Sequence, residues 1–149
     1  MTGLSTTLVL HAALLTSGAD AATYGDAYKA MQNEGKPMLV LVGADWCPAC
    51  RVLKNTASQM RRQGKLANVA FAVVDYDREN RLATRMMRGQ SVPQLILFEK
   101  TATGWRRTQL TGGQSETQVL GFVADARQFT PTLSGQARLA KEEQVTEKK

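Results

Sequence analysis

The stretch MLVLVGADWCPAC, residues 38–50, decides the fold of this 149-residue chain. It begins with a continuous apolar run that ends at Val42, just before Gly43. Such a run is typical of a central strand that is buried on both faces. Two cysteines, Cys47 and Cys50, follow the end of this strand. The chain has no other cysteine, so all of its sulfur chemistry is local.

A helix is predicted from Pro48 to about Arg62, with Gly64 closing it. A proline fits the first helical turn, because its missing N–H would have no partner there. One side of this helix collects the apolar residues Val52, Leu53, Ala57 and Met60. The other side presents the basic residues Arg51, Lys54, Arg61 and Arg62 to solvent.

The position of Cys47, where a strand passes into a helix, favours its thiolate. Unpaired backbone N–H groups and the positive end of the helix dipole can stabilise a sulfur anion there. Cys50 lies about one helical turn further on, within disulfide reach and more deeply packed. We therefore interpret Cys47 as the nucleophile of thiol–disulfide exchange and Cys50 as the resolving cysteine.

Periodicity and turn residues predict the remaining elements. These are a helix over Tyr24–Glu34, a strand over Val69–Val74, a helix over Asn80–Arg88, strands over Leu95–Phe98 and Arg106–Leu110, and a last helix over 115–129. Asp75 and Asp77 form a polar turn that can cap the helix after it. This order predicts an α/β fold in three layers, with helices on both faces of a mixed central sheet.

Composition excludes several functional classes. The net charge is +6, but acids and bases are mixed and no aromatic-rich basic stripe appears, so we expect no nucleic-acid partner. A structural zinc site needs two further Cys or His ligands, and the chain has only one histidine, His11. The same shortage of histidine disfavours Cys–His hydrolase catalysis. Thiol–disulfide exchange needs no histidine and no cofactor beyond the cysteine pair.

Two segments carry a resemblance to a known family. GADWCPAC, residues 43–50, follows an apolar strand, and Val92-Pro93 precedes another. Together they resemble the thioredoxin superfamily over about residues 24–129. Within it the chain is similar to exported thioredoxin-like proteins and to the C-terminal domain of bacterial thiol–disulfide interchange reductases. The resemblance implies that Pro93 follows a cis peptide bond and lies against the reactive sulfur.

The same resemblance implies a substrate-binding set. The backbone of Val92 would bind an extended substrate segment by strand addition, with little readout of side chains. As an aromatic at the edge of a loop, Trp46 is expected to form an apolar wall beside the pair, with ordinary packing as the alternative. The intervening Pro48 and Ala49 complete the predicted set with Val92 and Pro93.

The chain departs from thioredoxins proper in two ways. The buried acid that lies six residues before the first cysteine in thioredoxins is Leu41 here, and Val73 is nearest to the position of its lysine partner. Proton transfer at Cys50 is therefore expected to be slower. The dipeptide Pro48-Ala49 replaces Gly-Pro, so the reduction potential and the direction of electron flow stay open.

The two termini set the domain organisation. Residues 1–21 resemble a secretory leader, with an apolar run over Leu4–Leu15 and a small-x-small pattern at Ala19–Ala21. The missing basic residues before this run leave a cytoplasmic location as the alternative. We predict a signal peptide at 1–21, a thioredoxin-like domain at 22–129 and a charged tail at 130–149. The tail is expected to be a solvated helix or disordered.

The sequence thus predicts an exported, periplasmic or secreted thiol–disulfide oxidoreductase that reduces protein disulfides or relays electrons to them. An upstream electron donor or acceptor is implied and stays unidentified. A monomer is expected, because disulfide-linked dimers would consume the active pair. Two alternatives remain: a non-catalytic binding or chaperone module of the same fold, and a disulfide that is purely structural.

Overall fold

The computed structural model describes residues 22–128. The predicted leader at 1–21 and tail at 130–149 lie outside these residues. Eight elements follow one another along the described chain: α1 (Tyr24–Glu34), β1 (Met38–Gly43), α2 (Pro48–Arg62), β2 (Ala70–Asp75), α3 (Asn80–Met86), β3 (Gln94–Thr101), β4 (Gly104–Thr111) and α4 (Glu116–Gln128). The order is the predicted one.

The four strands form one mixed sheet in the order β2-β1-β3-β4. β1 runs parallel to β2 and antiparallel to β3, and β4 is antiparallel to β3. The parallel pair is joined by α2, as a parallel connection requires a crossover. The C-terminal ends of β1 and β2 therefore lie at the same end of the sheet. Asp75 is the last residue of β2, and Cys47 lies in the short segment after β1.

β1 is buried on both faces, as its continuous apolar sequence predicts. Leu39 and Leu41 face a core shared with α2 and α4. Met38, Val40 and Val42 face a second core shared with α1 and α3. The alternation of side chains along the strand thus separates the two cores. The fold is the predicted three-layer α/β/α arrangement, and this is a thioredoxin fold.

Val52 corrects the predicted inner face of α2. Leu53, Ala57 and Met60 are buried, but Val52 is 64% exposed. It lies in the second turn of the helix. Its side chain is apolar like those of Leu53, Ala57 and Met60, but none of the described helices or strands covers it.

The turn after β2 corrects a second prediction. The carboxylate of Asp75 accepts hydrogen bonds from the backbone N–H groups of Asp77 and Arg78, both at 2.9 Å. It therefore closes a turn, as Asp side chains often do. The N-cap of α3 is Glu79, which makes no side-chain cap. Neither aspartate caps the helix, which also ends two residues earlier than predicted, at Met86.

Candidate active site

Cys47 is the N-cap residue of α2, in an extended conformation with φ −91° and ψ 111°. It is joined by a disulfide to Cys50, and the two Cα atoms lie 5.2 Å apart. The Cys47 sulfur also accepts a hydrogen bond from the backbone N–H of Cys50 at 3.2 Å. In the reduced protein the same N–H and the helix dipole favour a thiolate at this sulfur. Pro48 occupies the first helical turn, as predicted.

Exposure differs little between the two cysteines. Cys47 is 5% exposed and Cys50 is 3% exposed, so both are buried in the oxidised state. The expectation that Cys50 is more deeply packed therefore rests on a small difference. The N-cap position and the neighbours of Cys47 distinguish the two sulfurs better than burial does.

The loop before β3 brings Val92 and Pro93 to Cys47. The Val92–Pro93 peptide bond is cis. The carbonyl oxygen of Val92 lies 3.8 Å from the Cys47 sulfur. Pro93 is buried, and Val92 is half-buried and packs against the cysteine pair. A backbone group for binding an extended segment thus lies directly beside the disulfide.

Trp46, Pro48 and Ala49 are exposed around the pair. The indole N–H of Trp46 donates to the carboxylate of Asp77 at 3.0 Å, although 63% of the tryptophan is exposed. Sequence reasoning assigned Asp77 to a turn and missed this contact. The two residues are 31 positions apart, so no local pattern connects them. Trp46, Pro48 and Ala49 thus place exposed side chains beside the cysteines in the sequence.

Cys50 lines a cleft of about 410 Å³. Leu41 and Val73, which are paired across β1 and β2, line it with apolar surface. The position where thioredoxins proper have a buried acid is therefore apolar in the fold as well as in the sequence. Charged residues of both signs also line the cleft: Asp45, Arg51, Lys54, Asp75, Arg78 and Glu79.

Within residues 22–128, no group of three or more Cys, His, Asp or Glu side chains is arranged to hold a metal ion. In the same part of the chain, no helix is long and apolar enough to cross a membrane.

The fold and the site together define a class of protein: a thioredoxin fold with a cysteine pair at the start of the helix after its first described strand. A thioredoxin-like family profile matches residues 20–100, more than half of the chain. The chain belongs to this family. No curated protein sequence matches it significantly.

Solved structures agree on the fold. A chloroplastic thioredoxin z is 21% identical, with a TM-score of 0.56, over 71% of this chain and 91% of its own. A thioredoxin from Fasciola hepatica is 23% identical, with a TM-score of 0.53, over 71% of this chain and 96% of its own. A thioredoxin from Thermus thermophilus is 20% identical, with a TM-score of 0.54, over 69% and 82%. At these identities the likeness extends to the fold alone.

Proposed function

We propose that the chain is a thiol–disulfide oxidoreductase that reduces protein disulfides or relays electrons to them. The observation that carries the proposal is the Cys47–Cys50 disulfide at the N-terminus of α2, with the Val92 carbonyl 3.8 Å from the Cys47 sulfur. The pair combines a sulfur whose anion is stabilised, a second sulfur within bonding distance, and a neighbouring backbone acceptor for a substrate segment. Family membership supports the same class of chemistry.

The exchange reaction proceeds in two steps. The Cys47 thiolate attacks one sulfur of the partner's disulfide, which forms a mixed disulfide and releases the partner's other sulfur as a thiolate. Cys50 then loses its proton and attacks the Cys47 sulfur, which releases the partner's second thiol. The partner gains two electrons and this chain retains the Cys47–Cys50 disulfide. An external dithiol donor must reduce it for another turnover.

The first experiment measures reduction of oxidised insulin with dithiothreitol as the donor. We expect turnover by the wild-type chain and none by Cys47→Ser. When pre-reduced Cys50→Ser meets insulin without dithiothreitol, a mixed disulfide should accumulate, because that variant cannot resolve it. Asn55→Ser, at an exposed position of the same helix, is the matched control for a serine substitution in α2. Absence of wild-type turnover, with partner binding that persists in Cys47→Ser, would instead support the non-catalytic binding module.

Export is a separate part of the proposal, and it rests on the leader-like residues 1–21. We expect the mature protein in cells to begin near Ala22. N-terminal sequencing of protein purified from the exported fraction measures this. An intact Met1 on protein from the cytoplasm would contradict export and leave the oxidoreductase chemistry unaffected.

A further inference from the structure

The loop of residues 87–93 joins α3 to β3 and carries Val92 to the cysteine pair. Its residues from Arg88 to Ser91 are exposed, and the loop pairs with no strand. An exposed loop of this kind has many accessible conformations, and ordering it costs free energy. The position of the Val92 carbonyl therefore depends on whatever holds the loop in place.

The side chain of Gln94, the first residue of β3, lies beneath this loop with no exposed surface. Its oxygen accepts a hydrogen bond from the backbone N–H of Arg88 at 3.1 Å. Its nitrogen donates to the carbonyl oxygens of Arg88 at 3.0 Å and Ser91 at 2.8 Å. Three hydrogen bonds from one buried amide thus hold both the start and the end of the loop.

Gln109 in β4 completes the hydrogen bonding of this amide. Its side-chain nitrogen donates to the Gln94 oxygen. An amide has two donor hydrogens and two acceptor sites, so all four are occupied in Gln94. A buried polar group that is fully paired fixes its surroundings, whereas a partly paired one is costly.

Arg107 extends the network to α3. Its guanidinium donates to the carbonyl oxygen of Met86, at the end of that helix, and to the Gln109 side chain at 2.6 Å. Burial, and then the nearby charge of Arg88, lower the pKa of Arg107. The edge strand β4 is therefore connected to both ends of the region that presents Val92.

We propose that Gln94 is a positioning residue for the exchange reaction, holding the 87–93 loop so that Val92 is ready to bind a protein substrate beside Cys47. The inference rests on the proposed function and adds a residue to it. A loop that is ordered before binding spares the substrate the cost of ordering it. Protein substrates should depend on Gln94, whereas a small disulfide that meets only Cys47 should not.

The test compares wild type with Gln94→Met, which keeps the length of the side chain and removes its hydrogen bonds. We expect KM for oxidised insulin to rise about tenfold with kcat within about twofold, as for loss of a binding contribution of about 1.4 kcal/mol. The rate with 5,5′-dithiobis(2-nitrobenzoic acid), a small disulfide, should change by less than about twofold on the same argument. Gln90→Ala, on the exposed part of the same loop, is the matched control.

Backbone amide exchange gives a readout that is independent of turnover. The N–H of Arg88 donates to Gln94, so its hydrogen exchange should be slow in the wild type and faster in Gln94→Met by about tenfold or more. Gln90→Ala should leave this exchange rate unchanged.

Gln94→Glu provides a second variant, in case Gln94→Met does not fold. An ionised carboxylate would repel the carbonyl oxygens of Arg88 and Ser91, whereas a protonated carboxyl can donate to one of them. The ratio of the variant's KM to that of wild type should therefore fall as the pH is lowered. A KM equal to that of wild type at a pH where the carboxyl is ionised would contradict the positioning role.

Unchanged exchange at Arg88 in Gln94→Met, or faster exchange with an unaltered KM, would also overturn the inference. Equal losses with insulin and with the small disulfide would do the same, because they indicate a general disruption of the site. A wild-type chain without turnover contradicts the proposed function itself. An active wild type with an unaffected Gln94→Met contradicts only the role of Gln94.

Discussion

At the residue scale, the second step of exchange depends on the surroundings of Cys50. Cys50 must lose its proton, and Leu41, which is 1% exposed, lines the same cleft. Leu41→Asp introduces a base there, so we expect resolution of a mixed disulfide near neutral pH to accelerate about tenfold or more. The buried carboxyl should also lower the free energy of unfolding by about 2 kcal/mol. Rapid acid quenching and separation of the mixed disulfide measure the rate.

Leu41→Asn is the matched control, because it is similarly polar and cannot take a proton from Cys50. It should lose comparable stability without the acceleration. Equal rates in both variants would mean that polarity or loosened packing, rather than proton transfer, limits resolution. No acceleration in Leu41→Asp would mean that Cys50 already loses its proton efficiently by another path, such as the charged residues that line the cleft.

At the element scale, the close approach of β1 to α2 at Gly43 fixes the position of Cys50. A Cβ atom at Gly43 would lie 3.0 Å from Cys50 Cβ and 3.3 Å from Leu41 Cδ2, tighter than ordinary contact. Gly43→Ala should therefore push the first turn of α2 away from β1 and lower the free energy of unfolding by about 1–3 kcal/mol. Urea denaturation of the oxidised protein measures this change.

Gly121 in α4 is the control for Gly43, because a Cβ atom there meets nothing within 4 Å. Gly121→Ala should raise the free energy of unfolding by about 0.5–1 kcal/mol, since alanine favours the helical backbone. Opposite signs are thus expected from the same chemical change in two elements. Destabilisation by both substitutions would show that backbone conformation, rather than the contact with Cys50, decides the effect at Gly43.

The elements also show where sequence reasoning succeeds. Both ends of α1 and of α2 agree with prediction. Gly35 follows the end of α1 and Pro48 begins α2, so local chemistry sets these two boundaries. The burial of β1 agrees because its apolar run has no polar face. Val52 was misplaced because periodicity identifies a helix face but not the element that covers it. The hydrogen bonds of Gln94 were missed because its partners come from a loop and from β4.

At the scale of the whole molecule, the redox state of the pair is linked to global stability. If the folded protein holds the Cys47–Cys50 disulfide more strongly than an unfolded chain does, oxidation stabilises the fold by the same free energy, and the protein is a reductant. If the folded protein instead favours the dithiol, as in strongly oxidising relatives of this fold, oxidation destabilises it. The sign of this stability difference therefore shows whether folding makes the pair a stronger reductant or a stronger oxidant than it is in the unfolded chain.

We expect the oxidised chain to be the more stable form. Closing a loop of about four residues contributes about 2 kcal/mol on chain entropy alone, before any effect of the thiolate at Cys47. Urea denaturation of the oxidised protein and of the protein in dithiothreitol measures the difference, and Cys47→Ser in both buffers controls for effects of the reductant. A more stable reduced form would indicate that stabilisation of the Cys47 thiolate by α2 outweighs loop closure. The protein would then donate disulfides to its partners, and its proposed role as a reductant would be wrong.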